Sequence, residues 1–272
     1  MQVFYINLDS QPERRDFVEA NFKAHNGEGW KITRVPAVDK ATLSGSTQAL
    51  PPVKPGELAC FLSHLRAMDM AREIGDDILI FEDDALFGPN SQQVIGTMVG
   101  LSQRSDWDML ATDVCISDPM QMILLLALRR KQPDRVEVLD LNRLHFAGTT
   151  AYVINRESKQ RVLDALKAML PLTQPYDLEL RRLCRDGFLR IKMIFPFATS
   201  LSCHAESSSI QSSEGGVTDR LWNAFRRLVW FDRDLAQVKA TLEPIEHIFK
   251  DEETELLGKI VMAHLSPQFV AK

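Results

Sequence analysis

The chain has few cysteines, no long apolar runs, no excess of positive charge, and no glycine where a phosphate loop would need it. Its four cysteines, Cys60, Cys115, Cys184 and Cys203, form no CxxC pair and no regular spacing in 272 residues. That excludes a disulfide scaffold and a cysteine metal knot, and it leads us to expect reduced thiols in a reducing compartment. The longest apolar run, around Ile123 to Leu128, falls far short of the roughly 20 residues that span a bilayer. The opening stretch to Asp9 carries no basic segment ahead of its apolar residues, so neither a signal peptide nor a membrane span is expected, and the cytoplasm is the default location. Lys and Arg number 32 against 37 Asp and Glu, a net charge of −5 that argues against a polyanion binder, so no nucleic-acid partner is expected. After the first apolar run stands Asn7-Leu8-Asp9-Ser10, with none of the glycines of a phosphate loop. Internal repeats are also missing.

What remains is an ordinary globular composition, 45% hydrophobic and 25% charged. The length allows one large domain, or one domain with an appendage. Short β-branched and aromatic runs at Val3–Leu8, Trp30–Val38, Ile78–Phe81, Trp107–Leu110, Val136–Leu139, the stretch ending at Ile154, and Arg190–Ile194 read as strands. Helical patterns open at Pro12, Gly56 and Tyr176, and cover Met120–Arg130, Arg156–Met169 and Asp219–Asp234. The alternation points to an α/β fold. Lys40–Pro55 and Ser207–Gly216 have loop composition.

The most informative stretch is Ile78-Leu-Ile-Phe-Glu-Asp-Asp84. Four apolar residues read as a strand buried on both faces, and the strand runs straight into three carboxylates. Alternation places Glu82 and Asp84 on one side and Asp83 on the other. Two ionised acids about 6.5 Å apart repel by roughly 2–3 kcal/mol at an effective dielectric near 20. A divalent cation would relieve that repulsion; a solvated acidic turn is the plainer alternative. Arg14 and Arg15, in the first turn of the helix opened by Pro12, are either phosphate contacts or solvated surface arginines. Asp177 stands at a helix start, as a natural N-cap or something more. The basic aromatic helix Asp219–Asp234 can lie on an anionic membrane surface or pack on its own domain.

Several blocks together resemble glycosyltransferase family 25, the lipooligosaccharide-biosynthesis type. They are Tyr5-Ile-Asn-Leu-Asp9 with Pro12-Glu-Arg-Arg15, then Gly56-Glu-Leu-Ala-Cys-Phe-Leu-Ser-His-Leu65, Ile80-Phe-Glu-Asp-Asp84, Gly148-Thr-Thr-Ala-Tyr-Val-Ile154, Pro175-Tyr-Asp177 and Ser208-Ser-Ile210. The resemblance covers roughly residues 1 to 212 and is most specific in the second block.

It implies a GT-A-like nucleotide-sugar-binding fold, with a mixed, mainly parallel sheet flanked by helices over residues 1–212; the region after about Gly216 carries little of the resemblance and reads, from its own helical pattern, as a helical C-terminal extension over 217–272. It also implies a UDP-sugar donor, commonly UDP-galactose, a manganese or magnesium ion, and inverting transfer to a glycan acceptor. Asp84 is then the expected direct metal ligand, with Glu82 beside it and His204 completing the site; an ordinary loop histidine is the alternative for His204. Asp177 becomes the expected catalytic base, with Glu179 in reserve. Asn7, Asp9, Arg14, Arg15, Ser63, His64, Asp83 and Gly148 are the expected donor-site residues. A sugar nucleotidyltransferase is disfavoured by the missing glycine loop. A non-catalytic binding relative is the reading from another functional class.

Overall fold

The computed structural model describes residues 1–27, 29–43, 45–102, 106–207, 216–249 and 251–265. The block at Ser208–Ile210 and most of the expected Ser207–Gly216 loop lie outside them.

Seven strands form one sheet in the order β2-β1-β3-β7-β5-β8-β6: β1 (Gln2–Asn7), β2 (Lys31–Pro36), β3 (Ile78–Glu82), β5 (Met109–Ile116), β6 (Glu137–Asp140), β7 (Phe146–Ile154) and β8 (Ile191–Phe195). β1, β2, β3, β5 and β8 run one way; β6 and β7 run against them. The sheet is therefore mixed and mainly parallel, as expected. A separate pair joins β4 (Ala85–Leu86) to β9 (Ser200–Leu201).

β3 lies inside the sheet, between β1 and β7, and Ile78 to Phe81 are all fully buried. Period-two alternation divides them between two cores. Ile78 and Ile80 face the helices α2 (Pro55–Ala71), α5 (Lys159–Lys167) and α6 (Tyr176–Arg185). Leu79 and Phe81 face α1 (Pro12–His25) and α3 (Ser91–Leu101). Proline in the first turn starts α1 and α2, where its missing N–H costs no helix bond. In α2 the Glu57 carboxylate also accepts from the Lys54 backbone N–H at 2.7 Å.

The strand expected at Trp107–Leu110 runs on to Ile116, with Thr112 and Asp113 buried within it. The start of the helical C-terminal extension packs into the main core. In α7 (Gly216–Val229), Phe225 and Val229 belong to the same apolar core as Phe4 and Ile80. Arg226 and Arg227, which the sequence pattern allowed on a basic membrane-facing surface, are buried against Asp113 and Glu206. Just after α7, the carbonyls of Trp230 and Phe231 accept from Arg129 of α4 (Pro119–Lys131). The more exposed α8 (Leu235–Leu242) and α9 (Glu252–His264) follow. No helix among the described residues is long and apolar enough to cross a membrane. All four cysteines are free thiols.

Candidate active site

β1 and β3 are parallel, so their carboxyl ends, Asn7 and Glu82, open onto the same edge of the sheet. That edge is where open α/β sheets collect ligands. A cleft of about 350 Å³ lies there, between the turn after β1, the turn after β2 and helix α2. Asn7 is buried and organises its floor. Its Nδ2 donates to Asp83 Oδ2 at 2.7 Å and to the Gln11 carbonyl at 3.0 Å, while its Oδ1 accepts from Arg34 Nε at 3.1 Å. Arg14 reaches in from the first turn of α1, with Nη2 2.6 Å from Asp83 Oδ1 and 3.6 Å from Asp84 Oδ2. Ser63 donates to the Ala59 carbonyl at 2.7 Å and accepts from the Val38 N–H at 2.8 Å, which ties the loop after β2 to α2.

Glu82 and Asp84 form the inner wall. Glu82 Oε1 lies 3.3 Å from His64 Nε2 and accepts from Thr149 Oγ1 at 3.0 Å; His64 Nδ1 lies 2.8 Å from the Tyr152 hydroxyl. Burial alone would raise the Glu82 carboxyl, but His64, the Thr149 hydroxyl and the charge of Arg226 bring it below the ordinary carboxylate range. Asp84 goes the other way. Burial first, then the charges of Glu82 and Asp83, push it up to about 7 against the pull of Arg14 and Arg226. Its Oδ1 is buried and has no hydrogen-bond partner.

A second cleft, of about 390 Å³, opens on the other side of the same wall; Cys60, Glu82 and Asp84 line both. Here β7 runs antiparallel beside β3 and brings Gly148 and Thr149 to the site. Gly148 has φ +80°, a conformation that side-chain-bearing residues rarely adopt, and its N–H donates to Asp177 Oδ2 at 2.9 Å. Asp177 Oδ1 accepts from the Leu178 N–H at 2.9 Å. Each carboxylate oxygen keeps a lone pair for a further donor. Helix α7 supplies Trp222, Asn223 and Arg226 to this cleft.

The sequence of residues 1–178 matches the family model described as glycosyltransferase family 25 (LPS biosynthesis protein). The chain belongs to glycosyltransferase family 25. Among curated relatives it is 29% identical, over 63% of its length, to a glycosyltransferase 25 family member of Aedes aegypti, and 27% identical, over 65%, to the lacto-N-neotetraose biosynthesis glycosyltransferase LgtB of Neisseria gonorrhoeae. The match spans 30% of the mosquito protein and 66% of the gonococcal one. Among solved structures, an active-site mutant of LgtC overlays with a TM-score of 0.40 at 14% identity, covering 71% of this chain and 72% of that one. The glycosyltransferase GlyE of Streptococcus pneumoniae overlays at 0.38 and 9%, covering 70% and 44%.

For a family 25 chain, the expected site residues separate into groups. Asn7, Arg14, Ser63, His64 and Asp83 line the first cleft with Glu82 and Asp84. Asp9 and Arg15 do not. Asp9 is 80% exposed and pairs with Arg34 at 2.6 Å; Arg15 turns outward to Asp16 at 3.0 Å. Gly148 lines the second cleft with Asp177, not the first. Asp177 is not the N-cap of α6, a place taken by Pro175; it lies one residue inside the helix. Glu179 lines neither cleft, because it is buried on the far side of the helix turn with Arg182 Nε at 2.9 Å and Thr173 Oγ1 at 3.3 Å.

The Ser202 N–H donates to the Asp84 carbonyl at 2.8 Å, so the chain passes close by, but the His204 ring packs edge-on against Phe17 of α1, with centroids 5.0 Å apart. Among the described residues, the trio of metal-ligating side chains with atoms within 4.8 Å of one another is Cys60, His64 and Glu82, not Glu82, Asp84 and His204. That trio suits a soft metal poorly. Both His64 nitrogens already have hydrogen-bonding neighbours, and burial pushes the Cys60 thiol well up. The all-oxygen pair Glu82 and Asp84, with a buried Asp84 oxygen lacking a partner, fits a hard divalent cation better. Sequence reasoning did not single out Arg226, Trp222 and Thr149, which line the second cleft, because their places depend on packing across the fold.

Proposed function

We propose that this chain is a metal-dependent inverting transferase that moves a hexose, galactose from UDP-galactose, to a hydroxyl of a glycan such as lipopolysaccharide or lipooligosaccharide. The observation that carries this reading is the shared wall. Two clefts of similar size meet at Glu82 and Asp84, as a donor and an acceptor must meet at one reacting carbon. The names of the gonococcal relatives, which refer to lacto-N-neotetraose biosynthesis, support a glycan acceptor.

In this reading the first cleft holds the nucleotide. Asn7 and Ser63 keep its floor and roof in place, and Arg14 brings positive charge towards the diphosphate. A Mn²⁺ or Mg²⁺ ion, held by Asp84 with Glu82 beside it, would supply the charge that stabilises departing UDP. His64 and Thr149 hold Glu82 in its ionised form. Asp177, oriented by the Gly148 and Leu178 N–H groups, takes the proton of the attacking acceptor hydroxyl from the second cleft. The four free thiols fit a reducing cytoplasmic site of action.

The test is UDP release from UDP-galactose in the presence of an acceptor glycan, with and without Mn²⁺, for the wild type and Asp84→Ala. Metal-dependent turnover that is lost in the variant supports transfer. Metal-dependent UDP binding with no turnover on any acceptor would make the chain a binding protein.

A further inference from the structure

The second cleft has an unusual charge pattern for a carbohydrate site that must choose among sugars. Glu57, Glu82, Asp84 and Asp177 line it, with Arg226 as the cation. Arg226 is already committed. Its Nε donates to Asp113 Oδ1 at 2.9 Å, and its Nη2 bonds both Asp113 Oδ2 and Thr150 Oγ1, the latter at 2.7 Å. Its charge is thus largely balanced from behind, and the cleft presents a field dominated by carboxylates. Set into that lining is Trp222, half-buried on α7. An indole face is an apolar, electron-rich surface that complements the C–H face of a pyranose, while carboxylates accept from ring hydroxyls.

We propose that Trp222 is the platform on which the acceptor's terminal sugar stacks, and that this sugar is a neutral hexose rather than a uronic, sialic or phosphorylated one. Even with a divalent cation on Glu82 and Asp84, a negative group entering the cleft would face Glu57 and Asp177, with the nearby guanidinium already paired to Asp113. The specificity element sits on α7, outside the stretch 1–178 matched to the family model. This inference rests on the reading of the second cleft as the acceptor side.

Methyl β-glycosides provide matched probes. Those of glucose and galactose differ from those of glucuronic and galacturonic acid only in carrying CH₂OH in place of carboxylate. Ligand-observed NMR titration is made on protein saturated with UDP and Mn²⁺, after UDP binding has been measured separately by calorimetry. At least one neutral glycoside is expected to bind about tenfold or more tightly than its acidic counterpart. Trp222→Ala is expected to lower the ratio of glycoside affinity to UDP affinity by about tenfold, and Trp222→Phe to restore most of it. Equal or tighter binding of the uronides, no binding of either neutral glycoside, or indifference to Trp222 overturns the proposal while the donor reading stands. Failure of the wild type to bind UDP overturns both.

Discussion

Arg226 and Asp113 form a buried ion pair with two hydrogen bonds, Nε lying 2.9 Å from Oδ1, that joins helix α7 to the middle of strand β5. Neither side chain has appreciable solvent contact, at 8% and 0% exposure. The pair explains how an aspartate is tolerated within a buried strand. Removing one partner strands the other charge, so Arg226→Met is expected to destabilise the protein by about 3–5 kcal/mol. Adding Asp113→Asn should recover much of that loss. Urea unfolding of the two single variants and the double variant checks this; additive losses would show that the pair is not coupled.

Cutting the chain after residue 212, where the sequence alone suggested a boundary, removes α7 from the main core. Phe225 and Val229 are 8% and 0% exposed, and each is worth about 1.5–3 kcal/mol of burial. Asp113 would also be left buried without its arginine. The truncated protein is therefore expected to lack a cooperative thermal transition, which near-UV circular dichroism would show.

Asp177→Asn is expected to leave UDP affinity nearly unchanged and to reduce transfer by about 10²–10⁴-fold, the usual worth of a general base. Glu179→Gln should do far less, since Glu179 faces Arg182 and Thr173 rather than either cleft. Steady-state kinetics on the two variants separate the carboxylates, and equal losses of donor affinity and rate would remove Asp177 from the role.

His204→Ala is expected to change Mn²⁺ affinity by less than about threefold, because the ring rests on Phe17, whereas Asp84→Ala should abolish metal-dependent UDP binding. Calorimetric titration of Mn²⁺ in the presence of UDP distinguishes the two; a large effect at His204 would restore it to the metal site.

Asp108 gives a pH signature away from the clefts. Burial alone would raise its carboxyl. The Arg190 side chain and backbone N–H, with Ser158 and Arg161, outweigh burial and hold it at about 2, below the ordinary 3.8. A carboxyl depressed in the folded state stabilises the fold above its ordinary pKa, and that contribution is lost as pH falls from about 4 to about 2. The shift corresponds to about 2 kcal/mol. The stability difference between wild type and Asp108→Asn should therefore shrink by about that amount across this window in urea titrations.

Elements announced by local chemistry were legible in the sequence. Ile78 to Phe81 read as an inner strand because four apolar residues in a row have no solvent face, Pro12 marked a helix start that the fold uses, and the helix read from Gly56 begins one residue earlier, at Pro55. The separation of Glu82 and Asp84 from Asp83 was also legible, since the first two border both clefts and Asp83 borders one. What stayed hidden depends on distant partners. The strand read at Trp107–Leu110 stopped short of Thr112 and Asp113 because nothing nearby reveals their partners Thr199 and Arg226. The sequence left open whether the helix of Arg226 and Arg227 lay on a membrane or packed on its own domain, because their acidic partners come from other parts of the chain. His204 stood at a plausible position along the chain, but its ring lies against Phe17, a contact that nothing near it in sequence reveals.

Cys60, Glu82 and Asp84 line both clefts, so the two compartments are next-door rooms. A uridine mimic joined to a hexose by a short tether could occupy both at once. Its second half would then bind at the high effective concentration set by the linker, and such a bridged inhibitor would exceed either fragment by orders of magnitude without any contact that the fragments lack.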